Sequence, residues 1–147
     1  KWLMSLFSLL SVSASGMSAQ RARTELLVEN LANSETTRTP EGGPYRRKDV
    51  VFETQPAESP FSSVVESQLA RPDGVGVAQV VTDDRDPERR YMPGHPDADK
   101  DGYVAFPRVN PAEDMVDLLG ASRSYEANVA AISAVKDMIQ RSIDLLR

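Results

Sequence analysis

Residues 110–147 read NPAEDMVDLLGASRSYEANVAAISAVKDMIQRSIDLLR, and this stretch decides the fold. Met115, Leu118, Leu119, Ser122, Tyr125, Val129, Ile132, Val135, Ile139, Ile143 and Leu146 recur at steps of three and four, the period of a helix and not of a strand. Asn110 stands at the capping position, Pro111 falls where a missing N–H costs nothing, and Glu113 and Asp114 occupy the first turn, where a helix N-terminus favours negative charge. At 1.5 Å per residue such a helix spans about 50 Å, far beyond the ordinary helix of about 12 residues. A single apolar stripe on so long a helix requires a partner.

The partner lies at the other end of the chain. Leu3, Phe7, Leu10, Ala14, Met17, Arg21, Thr24, Val28 and Leu31 hold a seven-residue repeat, so residues 3–33 are expected to form a second long helix. Residues 1–16, KWLMSLFSLLSVSASG, superficially resemble a secretory signal. The apolar run is too short to span a bilayer, and the repeat continues in register beyond it, so no cleaved signal is expected. With no Met before Met4, residues 1–3 read as an artefact of the start site. The Ser-rich first part with Gly16 makes this helix weak alone and dependent on packing. Phe7, Leu10, Met17, Val28 and Leu31 are expected to form the seam with Met115, Leu118, Tyr125, Val129, Ile132 and Ile139. Asn128, beside that stripe, is a candidate buried amide that fixes axial register. Small and polar residues on the first stripe, such as Ala14, Arg21, Thr24 and Ala32, suit contacts shared among several neighbours. Asn33-Ser34 and the string up to Pro40 end the helix.

Between the helices, EGGPY at 41–45 is turn chemistry, and β-like runs follow at 49–54, 61–69 and 75–82. These suggest a small antiparallel sheet or a pair of hairpins. Residues 83–108 are charged and broken by proline, and are expected to form an extended arm that lies across a neighbouring molecule through Arg89, Arg90, Tyr91 and Met92. The fold class is therefore α+β: two long terminal helices packed as an antiparallel coiled-coil-like pair, with a small irregular β module between them. The expected divisions are 1–39, 40–110 and 111–147.

The chain offers little for catalysis. Lys+Arg number 17 against 22 Asp+Glu, a net charge of -5, and no basic stripe with interleaved aromatics suits nucleic acid. The sequence has no cysteine, which removes disulfides, thiol catalysis and thiolate metal sites. DADKDG at 97–102 matches the first half of an EF-hand loop, yet Arg108 stands where the bidentate Glu belongs and Pro93 and Pro96 forbid the entering helix. An acidic turn leading into an extended segment 102–107 is expected instead. His95 is the single histidine, no G-x-S-x-G string is present, and EGGP lacks the ending of a phosphate loop. No active site, metal, cofactor or small-molecule substrate is expected.

Specific strings then carry a resemblance. Asn30-Leu31-Ala32-Asn33-Ser34-Glu35-Thr36, at the end of the first helix, resembles the N-x-A-N-x-x-T signature of the bacterial flagellar rod and hook axial proteins. Gly94-His95-Pro96, Gly102-Tyr103 and Ser122-Arg123-Ser124-Tyr125-Glu126-Ala127-Asn128 are similar to the FlgC group of proximal rod proteins. Glu29-Asn30 departs from the double Asn often found there. The resemblance covers residues 4 to about 147. It implies an extended structural subunit of the basal-body rod, whose terminal helices pair along the inner part of a hollow periplasmic shaft. It also implies export through the flagellar type III apparatus without signal cleavage. Implied partners are other copies of the chain, the rod proteins FlgB, FlgF and FlgG, and the FliE adaptor at the rod base. The isolated chain is then expected to be substantially disordered at both ends and to order on incorporation. The alternative is a coiled-coil adaptor or chaperone-like protein that forms a discrete complex with the 83–108 segment free.

Overall fold

The computed structural model describes residues 2–56 and 73–145, with side chains from residue 8 onward. In chain order the elements are α1 (Trp2–Ala32), β1 (Lys48–Pro56), β2 (Asp73–Thr82), β3 (Glu88–Tyr91), β4 (Tyr103–Phe106) and α2 (Pro111–Asp144). β1 pairs with β2, and β3 with β4. Both long helices, and the runs read as strands at 49–54 and 75–82, are thus present. The expected strand at 61–69 and the Phe7 side chain lie outside the described residues. The chain divides into two compact units, one of Lys1–Ala22, Phe52–Ala78 and Ala121–Arg147, the other of Arg23–Val51 and Gln79–Gly120.

In the second unit the segment expected to be an extended arm is instead a hairpin. β3 and β4 are antiparallel, with Glu88 opposite Phe106 and Tyr91 opposite Tyr103. Only four residues long and exposed throughout, β3 shows no alternation of polarity by which a strand could be read. β4 supplies the ordering force: Val104 and Phe106 point inward at 1% and 7% exposure, while Tyr103 points out against the Tyr91 ring, 5.3 Å away. The acidic turn closes the hairpin. Asp99 Oδ1 accepts the N–H groups of Asp101 and Tyr103, and Gly102 sits at φ 82°, where a Cβ would meet Tyr91 at 2.9 Å. Asp97 accepts the Thr37 hydroxyl at 2.8 Å and faces Arg38 at 3.7 Å, so this carboxylate serves the fold.

The two helices run antiparallel within this unit. Arg23 faces Asp117 at 3.5 Å, while Asn30, further along α1, is joined through Lys48 and Arg47 to Asp114, earlier in α2. α2 begins as read from the sequence: Asn110 Oδ1 accepts the Ala112 N–H at 3.2 Å and its carbonyl accepts that of Asp114.

In the first unit, small residues explain the Ser-rich composition of α1. A Cβ placed on Gly16 would stand 3.2 Å from the Asn128 amide of α2, and one on Gly74 would stand 2.8 Å from Ser15 Oγ. Ser15 accepts the Val75 N–H at 3.0 Å and donates to the Val12 carbonyl at 2.7 Å, tying the start of β2 to the helix. Ala19, Ala121 and Val135 are buried here. Close approach between backbones selects Gly, Ala and Ser over larger apolar residues.

Candidate functional site

The sequence signature at 30–36 becomes a built joint. Asn30, the last buried residue of α1, has 0% exposure. Its amide does for β1 what a neighbouring strand would do: Nδ2 donates to the Lys48 carbonyl at 2.8 Å and Oδ1 accepts the Lys48 N–H at 2.9 Å. The same Oδ1 accepts the Tyr45 hydroxyl at 2.9 Å. Only a side chain carrying both a donor and an acceptor satisfies all three groups. Asn33 finishes the helix by donating to the Glu29 carbonyl at 2.9 Å and accepting the Thr36 hydroxyl at 3.1 Å. Thr36 in turn accepts the Tyr45 N–H at its carbonyl, which turns the chain towards β1. Ala32 is exposed and makes way for this turn.

Charge completes the joint. Arg47 Nη1 donates to Asp114 Oδ1 at 2.6 Å, and Lys48 Nζ donates to Glu29 at 2.6 Å. The Asp114 side chain is fully buried, and its second oxygen has no hydrogen-bond partner among the described residues. Burial raises the Asp114 pKa, with the Arg47 guanidinium acting against it. Burial works to lower that of Arg47, but Asp49 and Asp114 carry it upward. Burial, reinforced by Glu29, pushes the Tyr45 phenol up to about 12. Tyr45, Arg47, Lys48 and Asp114 were not singled out as site residues in the sequence, where Asp114 reads as a surface partner of Arg123. Arg47 and Asp114 are 67 positions apart, and the only hint is the basic Arg46-Arg47-Lys48 string facing an acidic first turn.

The seam needs correcting. In α2 the buried and half-buried residues are Asp114, Asp117, Leu118, Ala121, Asn128, Ile132, Val135 and Ile139. Leu118, Ile132 and Ile139 are where the periodicity placed them, and Asn128 is part of the seam itself, its Nδ2 bonded back to the Ser124 carbonyl at 3.0 Å. Met115, Tyr125 and Val129 are exposed, at 55%, 40% and 40%. In α1, Leu10, Met17 and Leu31 are half-buried, while Val28 is exposed and the neighbouring Leu27 is buried. Size misled the reading: the helix–helix contact takes small and polar residues, and leaves several of the largest apolar ones outside. Val116 and Leu119 join Met115 as an uncovered apolar patch at 68% and 62% exposure.

Of the expected arm contacts, Arg89, Arg90, Tyr91 and Met92 are all exposed. Arg90 also lies 4.8 Å over the Phe106 ring and pairs with Glu88. Gly94, His95 and Pro96 form the approach to the acidic turn, where His95 Nδ1 accepts the Asp97 N–H at 3.1 Å and the ring meets Phe106 edge-on. Ser122 and Arg123 are exposed on α2. The structure therefore gathers the 30–36 string into one joint with β1 and α2, and leaves the other signature residues spread over two surfaces.

Comparison with known proteins follows the same lines. Residues 100–145 match the family model described as flagellar basal body rod FlgEFG protein C-terminal. The chain is 43% identical to the flagellar basal-body rod protein FlgC of Bacillus subtilis, over 97% of this chain and 99% of that one. It is 39% identical to the FlgC of Borreliella burgdorferi, covering 98% and 99%, and 34% identical to that of Salmonella typhimurium, covering 97% and 98%.

Proposed function

Since the chain belongs to the FlgC family of flagellar basal-body rod proteins, we propose that it is a structural subunit of the proximal rod, which transmits torque and lines the export channel by helical polymerisation. The observation that carries this reading is the apolar surface α2 leaves uncovered. Met115, Val116 and Leu119 are each more than half exposed, and Tyr125 and Val129 continue apolar exposure further along the helix. Fully burying one such side chain is worth about 1.5–3 kcal/mol, so a neighbour that covers the patch gains several side chains' worth at every repeat of the polymer. Long helices in side-by-side contact resist bending in a way that loosely tethered domains do not.

The neighbours in this reading are copies of the chain itself, the rod proteins FlgB, FlgF and FlgG, and FliE at the base. The shaft stands in the periplasm, reached through the type III export apparatus without a cleaved signal. Among the described residues no helix is long and apolar enough to cross a membrane. An electron cryo-microscopy map of the basal body tests the assignment. The chain is expected in the proximal rod with the α2 patch against neighbours, and a discrete complex outside the rod would contradict it. Tyr125→Ala is expected to leave expression normal and abolish swimming, whereas full motility counts against a role for Tyr125 in assembly.

A further inference from the structure

The β3–β4 hairpin is electrically polar along its length. At its open end, where Arg85 precedes β3 and Arg108 follows β4, a cleft is lined by Arg46, Arg47, Arg85, Arg108 and Asp83, with three prolines as stiff walls. Arg47 is turned inward to Asp114, but the Arg85 and Arg46 side chains are 68% and 49% exposed. Arg108 donates its Nε–H to the Asp86 carbonyl at 2.6 Å, and its remaining N–H groups face outward from that bond. Asp83 is already held by Arg85 through two contacts, at 2.9 and 2.6 Å. Asp84 at the rim is 96% exposed and 3.8 Å from Arg46, a pairing that an incoming carboxylate displaces at little cost. Even with Asp84 and Asp86 counted, the guanidiniums outnumber the carboxylates.

At the closed end the sign reverses. Asp99 and Asp101 are exposed, and Asp101 contributes only its backbone N–H to the turn, leaving its carboxylate free for a partner. The two ends cannot meet within one chain. Six residues separate Arg85 from Tyr91, whose partner Tyr103 is next but one to Asp101, so the ends lie about 20 Å apart along extended strands.

We propose that these ends are the halves of one contact, in which the acidic turn of one copy of the chain sits in the arginine cleft of the next. Identical subunits joined through two different patches form a ring or an open helical array rather than a closed pair. Arginine forks take carboxylates in a fixed, two-point geometry. Exposed charge pairs contribute little affinity and much orientation, so the contact fixes which way successive copies point. The inference rests on the reading that copies of the chain are neighbours in a polymer.

Because the sequence has no cysteine, introduced pairs report without background. Arg85→Cys and Asp101→Cys, placed in one chain and mildly oxidised in basal bodies, are expected to give a ladder of cross-linked copies. The two single variants expressed together are expected to stop at dimers. In a second arm, Arg85→Glu and Asp101→Arg each reduce swimming several-fold, and their combination restores it. No cross-link in basal bodies that contain the chain, a cross-link to a different rod protein, or failure of the combined reversal to restore swimming would overturn the contact and leave the rod assignment standing. Absence of the unaltered chain from basal bodies would overturn both.

Discussion

α1 and α2 are nearly equal in length, at 31 and 34 residues, yet they meet solvent in opposite ways. From Ala14 onward α1 exposes one narrow stripe, Ala14, Ser18, Arg21, Glu25, Val28 and Ala32, and has the rest of its circumference covered at least in part. α2 does the reverse, covering one narrow stripe from Asp114 to Ile139 and exposing the rest. Both stripes step by three and four, so periodicity alone cannot tell a helix that is mostly covered from one that is mostly bare. The difference teaches where the unfinished surface lies. α1 is close to complete within one chain, and α2 still lacks its neighbours.

The largest test of that contrast removes the device that holds the end of α1 to the start of α2. Arg47→Met strands the fully buried Asp114 carboxylate, and is expected to cost about 3–5 kcal/mol, read as a lowered urea midpoint followed by tyrosine fluorescence. Adding Asp114→Leu is expected to recover most of the loss, because the uncompensated charge goes with it. Asn30→Ala comes next. It orphans the Lys48 carbonyl and removes the acceptor for the Lys48 N–H and the Tyr45 hydroxyl, for about 2–3 kcal/mol on the same readout.

A smaller test makes one substitution in both helices. Gly120 of α2 has nothing within 4 Å of a built Cβ, so Gly120→Ala should follow intrinsic propensity and stabilise by about 0.5–1 kcal/mol. Gly16→Ala in α1 presses on Asn128 at 3.2 Å, and is expected to gain nothing or lose stability. Equal gains at both sites would erase the distinction. The smallest effect is a titration. Tyr45 has its pKa raised from 10.0 to about 12, so the folded state favours the neutral phenol. The stability it contributes is whole below pH 10 and is lost as pH rises through 12. Absorbance of tyrosinate should show one of the four tyrosines titrating late, and Tyr45→Phe should remove that step.

Much of this was legible in the residues. Asn110, Pro111 and the acidic first turn announce α2, and the valine-rich runs announce β1 and β2. The 30–36 string marks a helix end. What it ties together could not be read, because Lys48, Arg47 and Asp114 meet Asn30 only through the fold. β3 was missed because Glu88-Arg89-Arg90-Tyr91 is exposed on every side and ordered only by its partner strand. The seam register was misread for a physical reason as well. Hydrophobic size predicts burial in a finished core, but α2 keeps large apolar residues outside its own chain, and uses Ala121 and Asn128 where the backbones come close.

The central claim, that the bare face of α2 is completed by neighbouring subunits, has a direct measurement. Val116→Cys and Leu119→Cys, each the only cysteine in its chain, can be exposed to a maleimide in the purified protein and in intact basal bodies. Both are expected to label readily in the purified chain and to be protected in the rod. Equal labelling in the two states would contradict the account.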